Sequence, residues 1–186
     1  MPMFDATAAR RVKLLALDVD GVLTDNGIYV GEHGGERIEL KRFDIQDGLG
    51  IVLLRFTAIR VVIVSGRLSA ATALRGAELR IPDVLQVPGP RKVAALQAVL
   101  DREGIDWQEV AFLGDDLADL PVLRRVGLPI AVANAVRDVR EVAAATTQAT
   151  GGRGAVREVI EALLRARGEW ATVLDRYLAE EPAVVR

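Results

Sequence analysis

VKLLALDVDGVLTD, residues 12–25, decides how the rest of this chain is read. Its opening part, 12–19, is an apolar run too short for a typical helix. Such a run reads as a strand buried on both faces, the kind found in parallel sheets. Asp18 and Asp20 stand at its end, followed by Gly21. Residues two apart on a strand point the same way, so both carboxylates are expected at one edge. Two like charges there cost stability, and a divalent cation removes that objection. The competing reading is a pair of turn caps helped by Gly21.

Working outward, further runs of the same type stand at 61–65 (VVIVS), 110–114 (VAFLG) and 129–133 (PIAVA), with weaker ones at 83–87 and 146–150. Helical patterns at 47–57, 69–80, 91–103, 117–126 and 136–144 separate them. Strands alternating with helices of this length imply an α/β fold with a doubly wound, mostly parallel, Rossmann-like sheet. Ligands in such sheets sit beyond the carboxyl ends of the strands. Two segments break the alternation. Residues 28–43, with strict period-2 alternation at 37–41 and His33-Gly34-Gly35 at the centre, predict a projecting β-hairpin. Residues 155–181 show helical spacing interrupted at Gly168, so they form one long helix with a weak point, or two. No repeat or linker divides the chain, which predicts a single domain over 1–186. Neither 25–61 nor 87–92 leaves room for a cap domain.

Composition narrows the function. The chain has 186 residues, half of them apolar, enough for a core without staples. Absence of cysteine excludes disulfides, thiolate metal sites and a cysteine nucleophile. A single histidine, His33, excludes histidine clusters, and it is expected in solvent at the hairpin tip. A net charge of −2 with both signs mixed suggests neither nucleic acid nor an anionic membrane as partner. MPMFDATAARR lacks the apolar core of a secretory signal, and no apolar run approaches a membrane span. A soluble, cytoplasmic protein is expected. Trp107 and Trp170 are expected to pack or to meet a partner chain.

Two more strand ends and one helix start carry chemistry. GDDLAD at 114–119 gathers Asp115, Asp116 and Asp119, although acidic residues at a helix start are also ordinary caps. Together with Asp18 and Asp20 they favour a magnesium site. Ser65, Gly66 and Arg67 offer a hydroxyl and a backbone N–H to a phosphate oxygen, or form a plain turn. Lys92 follows the Pro88-Gly89-Pro90 break at a helix start, where a lysine is often only a solvated surface group.

The order of aspartate pair, serine, lysine and second acidic cluster resembles the haloacid dehalogenase superfamily of phosphatases, through DVDGVLTD, VSGR, Lys92 and GDDLADLP. RFDIQDGLGI, GDDLADLPVL with VGLPIAVANA, and GGRGAVREV look more closely like the capless 3-deoxy-D-manno-octulosonate 8-phosphate phosphatase family, whose members serve lipopolysaccharide precursor synthesis. The resemblance implies a phosphomonoesterase in which Asp18 attacks phosphorus and Asp20 serves as general acid and base. It implies Mg2+ held by Asp18, Asp115 and the Asp20 backbone carbonyl, with Ser65 and Lys92 stabilising the transferring group. Asp116 and Asp119 are then expected to orient Lys92 and metal-bound water.

A phosphorylated sugar acid is the expected substrate, with the octulosonate favoured over 2-keto-3-deoxynononate 9-phosphate or acylneuraminate 9-phosphate. Arg67 and Arg75 are the candidate contacts to its carboxylate, against the reading of Arg75 as a solvated helix residue. Arg153 is a candidate for another anion contact, against the reading of its GGRG loop as a plain connector. In the resembling family the position of Arg75 reaches the substrate across a subunit boundary, and the position of Arg67 tends to be arginine in octulosonate enzymes. Leu68 and the 88–90 break depart from the pattern. A homo-oligomer is expected, since the hairpin carries Ile38 and Leu40 on one face with nothing evident to cover them. A homotetramer with active sites at subunit interfaces is what the resemblance implies. The rivals from another class are a non-catalytic phosphoacceptor and an oligomerisation module; a phosphomutase would need a cap to exclude water.

Overall fold

The computed structural model describes residues 3–88 and 91–180. In chain order the elements are α1 (Ala6–Arg11), β1 (Leu14–Leu17), β2 (Tyr29–His33), β3 (Glu36–Leu40), α2 (Ile45–Leu53), β4 (Arg60–Ser65), α3 (Ala70–Glu78) and β5 (Asp83–Gln86). They continue with α4 (Lys92–Glu103), β6 (Val110–Gly114), α5 (Leu120–Leu123), β7 (Leu128–Ala131), α6 (Arg137–Val142), β8 (Ala145–Thr146), α7 (Ala155–Arg167) and α8 (Trp170–Ala179). Six strands form a parallel sheet in the order β5-β4-β1-β6-β7-β8. The order reverses at β1, whose four side chains are fully buried, as the apolar run requires of a strand covered on both faces. Helices α1, α2, α7 and α8 pack on one another, while α4, α5 and α6 make a second chain of contacts. The architecture is the doubly wound α/β sheet expected, with a hairpin and, among the described residues, without a cap.

β2 and β3 pair apart from this sheet as an antiparallel hairpin with His33 opposite Glu36. Gly34 and Gly35 have φ of 61° and 83°, the left-handed pair that a two-residue hairpin turn demands. A single antiparallel bridge between Thr24 and Phe43 closes the base of the hairpin, directly beside the end of β1.

Several boundaries differ from expectation for identifiable reasons. α1 lies in what reads as a short leader; Asp5 accepts from Thr7 N–H and Ala8 N–H at its start, and Arg167 Nη1 donates to Ala9, Arg10 and Val12 carbonyls at its end. α2 starts at Ile45, earlier than its apolar pattern, because Asp44 accepts from Gln46 N–H at 2.8 Å. The helix expected at 117–126 is reduced to one short turn and α5, which has Pro121 in its first turn. The strand expected at 146–150 stops after Thr146. The Thr147 hydroxyl turns inward there, donating to Ala149 O and accepting from Ala133 N–H. The tail is two helices meeting at Gly168; residue 181, the expected end of the second, lies outside the described residues. Both tryptophans are used within the chain, Trp107 donating to Gln97 Oε1 and Trp170 lying beneath Arg157 and Arg165. No helix among the described residues is long and apolar enough to cross a membrane.

Candidate active site

The carboxyl ends of β1, β4 and β6 bring together Asp18, Ser65 and Asp115, and the start of α4 adds Lys92. β1 ends at Leu17, so Asp18 and Asp20 leave from the turn after the strand and do not share a strand face. Their partners differ. Asp18 Oδ1 lies 2.7 Å from Lys92 Nζ, whereas Asp20 Oδ1 lies 2.7 Å from Lys41 Nζ. The turn passes Asp115 closely at Gly21, which has φ of 86°; a Cβ there would overlap the Asp115 carboxylate. Only glycine suits both conditions.

Lys92 is buried, and its ammonium also donates to Asp119 Oδ1 at 2.8 Å. The other Asp119 oxygen accepts the Asp115 backbone N–H at 3.0 Å. Asp119 is thus fully engaged in holding Lys92 and the Asp115 backbone. Asp116 is exposed and accepts from Leu117 N–H, with no bond to Lys92, so Asp119 alone of the expected pair orients the lysine.

One ligand oxygen each from Asp18, Asp115 and Asp119 lies within 4.8 Å of the others. Burial, with the neighbouring charges of Asp18, Asp119 and Asp116, pushes the Asp115 carboxyl up to about 8. Burial and the Asp119 charge raise Asp18 to about 7 against the opposing pull of Lys92. For Lys92 burial alone favours the neutral amine, but Asp18 and Asp119 more than offset it and its pKa is raised. Asp115 Oδ1 is buried without a hydrogen-bond donor among the described residues. A buried carboxylate oxygen that lacks a donor, among other carboxylates, fits a hard divalent cation. Asp18 and Asp115 have the capacity to bind one; Asp119 has spent both oxygens.

Ser65 is buried, its Oγ accepting Arg67 N–H at 3.2 Å, so the turn 65–67 is preformed. Arg67 is tied to Glu39 Oε2 at 3.1 Å, and both line a cavity of about 240 Å³ with Arg37, Leu68, Ser69 and Ala70. Arg75 does not meet the acidic cluster within its own chain. It donates to Asp44 O and Glu78 Oε2 and lies over the Phe43 ring. Arg153 is exposed, but its loop abuts the turn after β1: Gly152 N–H donates to Val22 O, and Asn134 joins Gly21 O to Gly151 N–H. Gly89 and Pro90, before Lys92, lie outside the described residues. A larger cavity of about 640 Å³ lies near residues 55–58, ahead of β4 and hence at the opposite sheet edge. Its Arg167 and Arg176 are occupied by backbone carbonyls.

Sequence reasoning missed Lys41, Glu39, Asp47 and Asn134. Asp47 is buried and accepts from Gly154 N–H and Arg157 N–H, capping α7 from a distant part of the chain. The strict alternation at 37–41 was the available signal for the first two: it sets Arg37, Glu39 and Lys41 opposite Ile38 and Leu40.

The haloacid dehalogenase-like hydrolase family matches residues 84–160. The 3-deoxy-D-manno-octulosonate 8-phosphate phosphatase KdsC of Salmonella typhi is 42% identical over 163 residues, 88% of this chain and 85% of that protein. The chain belongs to the 3-deoxy-D-manno-octulosonate 8-phosphate phosphatase family of haloacid dehalogenase-like hydrolases. It is therefore a phosphoric monoester hydrolase, which removes the non-catalytic rivals. Among solved structures in this family, the phosphatase from Moraxella catarrhalis, in complex with magnesium, phosphate and KDO, has a TM-score of 0.86 at 37% identity, covering 92% of this chain and 97% of that one. The cobalt-bound phosphatase of Haemophilus influenzae has a TM-score of 0.81 at 32% identity, covering 89% and 94%.

Proposed function

We propose that the chain is a Mg2+-dependent phosphatase that hydrolyses 3-deoxy-D-manno-octulosonate 8-phosphate through an aspartyl-phosphate, in the cytoplasmic synthesis of lipopolysaccharide precursor. The observation that carries the reading is the buried cluster of Asp18, Asp115, Asp119 and Lys92 beside the Asp20 turn. The names and bound ligands of the related phosphatases support the substrate.

Asp18 and Asp115, with the Asp20 backbone carbonyl, would hold Mg2+, whose charge offsets the repulsion between an anionic nucleophile and an anionic phosphate. Asp18 Oδ attacks phosphorus while the P–O bond to the sugar breaks. Asp20 gives its carboxyl proton to the departing sugar oxygen. It later takes a proton from the water that attacks the phosphoaspartate, which regenerates Asp18 and releases phosphate. Lys92, aimed by Asp119, and the Ser65 hydroxyl offset charge on the phosphoryl oxygens. Arg67, Arg75 and Arg153 are the cations proposed for the sugar-acid carboxylate. Arg75, spent locally on Asp44 and Glu78, would need to act on a neighbouring subunit's site.

We also propose a homotetramer. Tyr29, Val30 and Leu40 on the hairpin are 63%, 59% and 61% exposed, and Leu68 and Leu74 beside α3 are 69% and 72% exposed, an apolar surface that favours association. Light scattering that shows a monomer at micromolar concentration would sink the assembly. The functional reading is tested by specificity constants over a panel of phosphorylated sugars and sugar acids. The octulosonate is expected first, and a clear preference for a neutral sugar phosphate refutes that substrate.

A further inference from the structure

We propose that Lys41, at the foot of the hairpin, is the positioning residue for Asp20. The inference rests on the reading of Asp20 as the acid and base. The Lys41 side chain is 0% exposed, and its ammonium lies 2.7 Å from Asp20 Oδ1 and 3.9 Å from Glu39 Oε1. It also donates to Thr72 Oγ1 at 3.4 Å. These contacts join the turn after β1, strand β3 and helix α3. Asp20 Oδ1 and Glu39 Oε1 are buried and have no well-aligned hydrogen bond among the described residues. Glu39 also has Arg67 at 3.1 Å, so it is for Asp20 that the Lys41 charge is the compensating partner, since a buried carboxylate oxygen without donor or counter-charge is strongly unfavourable.

Each of the two catalytic carboxylates thus has its own lysine. Lys92, from α4, holds Asp18; Lys41, from the hairpin, holds Asp20. Two aspartates separated by one residue are drawn toward different parts of the fold, which lets one face phosphorus while the other is kept for the leaving oxygen. The Thr24–Phe43 bridge closes the hairpin beside this contact, so the seating of the hairpin sets the direction of the Asp20 carboxylate.

The rival role is simple neutralisation of buried charge. Leaving-group dependence separates the two. A sugar alkoxide needs a proton as it departs, whereas p-nitrophenolate does not, so a misplaced acid slows phosphoenzyme formation, the step that kcat/KM reads, only for the first. The later hydrolysis of the phosphoaspartate is common to both esters. Positioned acid catalysis contributes about 10²- to 10⁴-fold. Lys41→Met is expected to lower kcat/KM on an alkyl phosphate such as the sugar-acid phosphate by about 10²-fold, with only a few-fold loss of kcat/KM on p-nitrophenyl phosphate. Lys41→Arg keeps the charge, and with it the fold, but moves the head group; a smaller loss with the same selectivity is expected. Equal losses of kcat/KM on the two esters in these variants, or no loss in Lys41→Arg, would overturn the proposal. Asp20→Asn is the control for the underlying reading. If it lowers kcat/KM for both esters equally, Asp20 is not the acid. If it is selective and the lysine variants are not, only the role of Lys41 fails.

Discussion

The metal-free protein should lose stability as pH rises from about 5.5 to 7.5, and Asp115→Asn should flatten that loss. Asp115 titrates near 8 in the folded chain against an ordinary value of 3.8, and Asp18 near 7. Both shifts are upward, so between these values the folded state holds protons that the unfolded chain has released. Stability then falls with rising pH, and the fall is complete above the folded values. One group held in this way contributes about 1.4 kcal/mol per pH unit. Because the neighbouring carboxylates titrate jointly, the loss attributable to Asp115 over two units is about 1–3 kcal/mol. In a chain of this length that corresponds to roughly 3–10 °C in Tm. Divalent cation competes with those protons, so stabilisation by Mg2+ should grow over the same window. The assay is thermal unfolding in EDTA and in Mg2+ at four pH values, for the native protein and for Asp115→Asn. If the two proteins show parallel Tm profiles in EDTA, the proton-holding cluster is wrong.

Other substitutions test separate parts of the site. Asp18→Asn should abolish phosphate release while far-UV circular dichroism stays native; wild-type turnover in this variant or after EDTA treatment would contradict the mechanism. Gly21→Ala forces a side chain onto the Asp115 carboxylate at a positive φ, and should cost about 1–3 kcal/mol by denaturant unfolding and most of the activity. Asp47→Ala strips two backbone donors at the start of α7 and should lower stability by about 1–3 kcal/mol; an unchanged unfolding midpoint would show that solvent replaces it fully. Arg75→Ala should reduce turnover of the sugar-acid phosphate more than that of a neutral sugar phosphate, as read from the two specificity constants.

The parts of the fold legible in the sequence were those whose cause is local. β1, β4 and β6 are covered on both faces, so they show as apolar runs, and the acidic residues that follow them fall at one edge of the sheet because the strands are parallel. The hairpin declared itself through its Gly34-Gly35 turn and its period-2 pattern. What stayed hidden depends on contacts across long stretches of chain. Asp47 reads as an ordinary helix-start acid until α7, some 110 residues on, presents its unpaired N–H groups. Asp116 and Asp119 are alike in sequence; the turn at 117–119 sends Asp119 inward to Lys92 and leaves Asp116 in solvent. Arg75 looks like a free helix cation, yet Asp44 O and Phe43 occupy it.

The two faces of β3 explain why a capless chain keeps so long an insertion beside its nucleophile. The alternation that exposes Ile38 and Leu40 to potential neighbours turns Glu39 and Lys41 toward Arg67 and Asp20. One strand therefore carries an outward apolar surface and an inward charged one, two residues apart at every step. A one-residue slip in the pairing of β2 with β3 would exchange the faces, withdrawing the counter-charge from Asp20 and burying nothing in return. The Gly34-Gly35 turn and the Thr24–Phe43 bridge fix the register at both ends of the hairpin. Lengthening the turn by one residue is the severest test of this coupling. It leaves every catalytic side chain in place, yet it should reduce turnover of alkyl phosphates more than that of p-nitrophenyl phosphate, in the same sense as Lys41→Met. Unchanged kinetics on both esters in such a variant would show that the hairpin and Asp20 are independent.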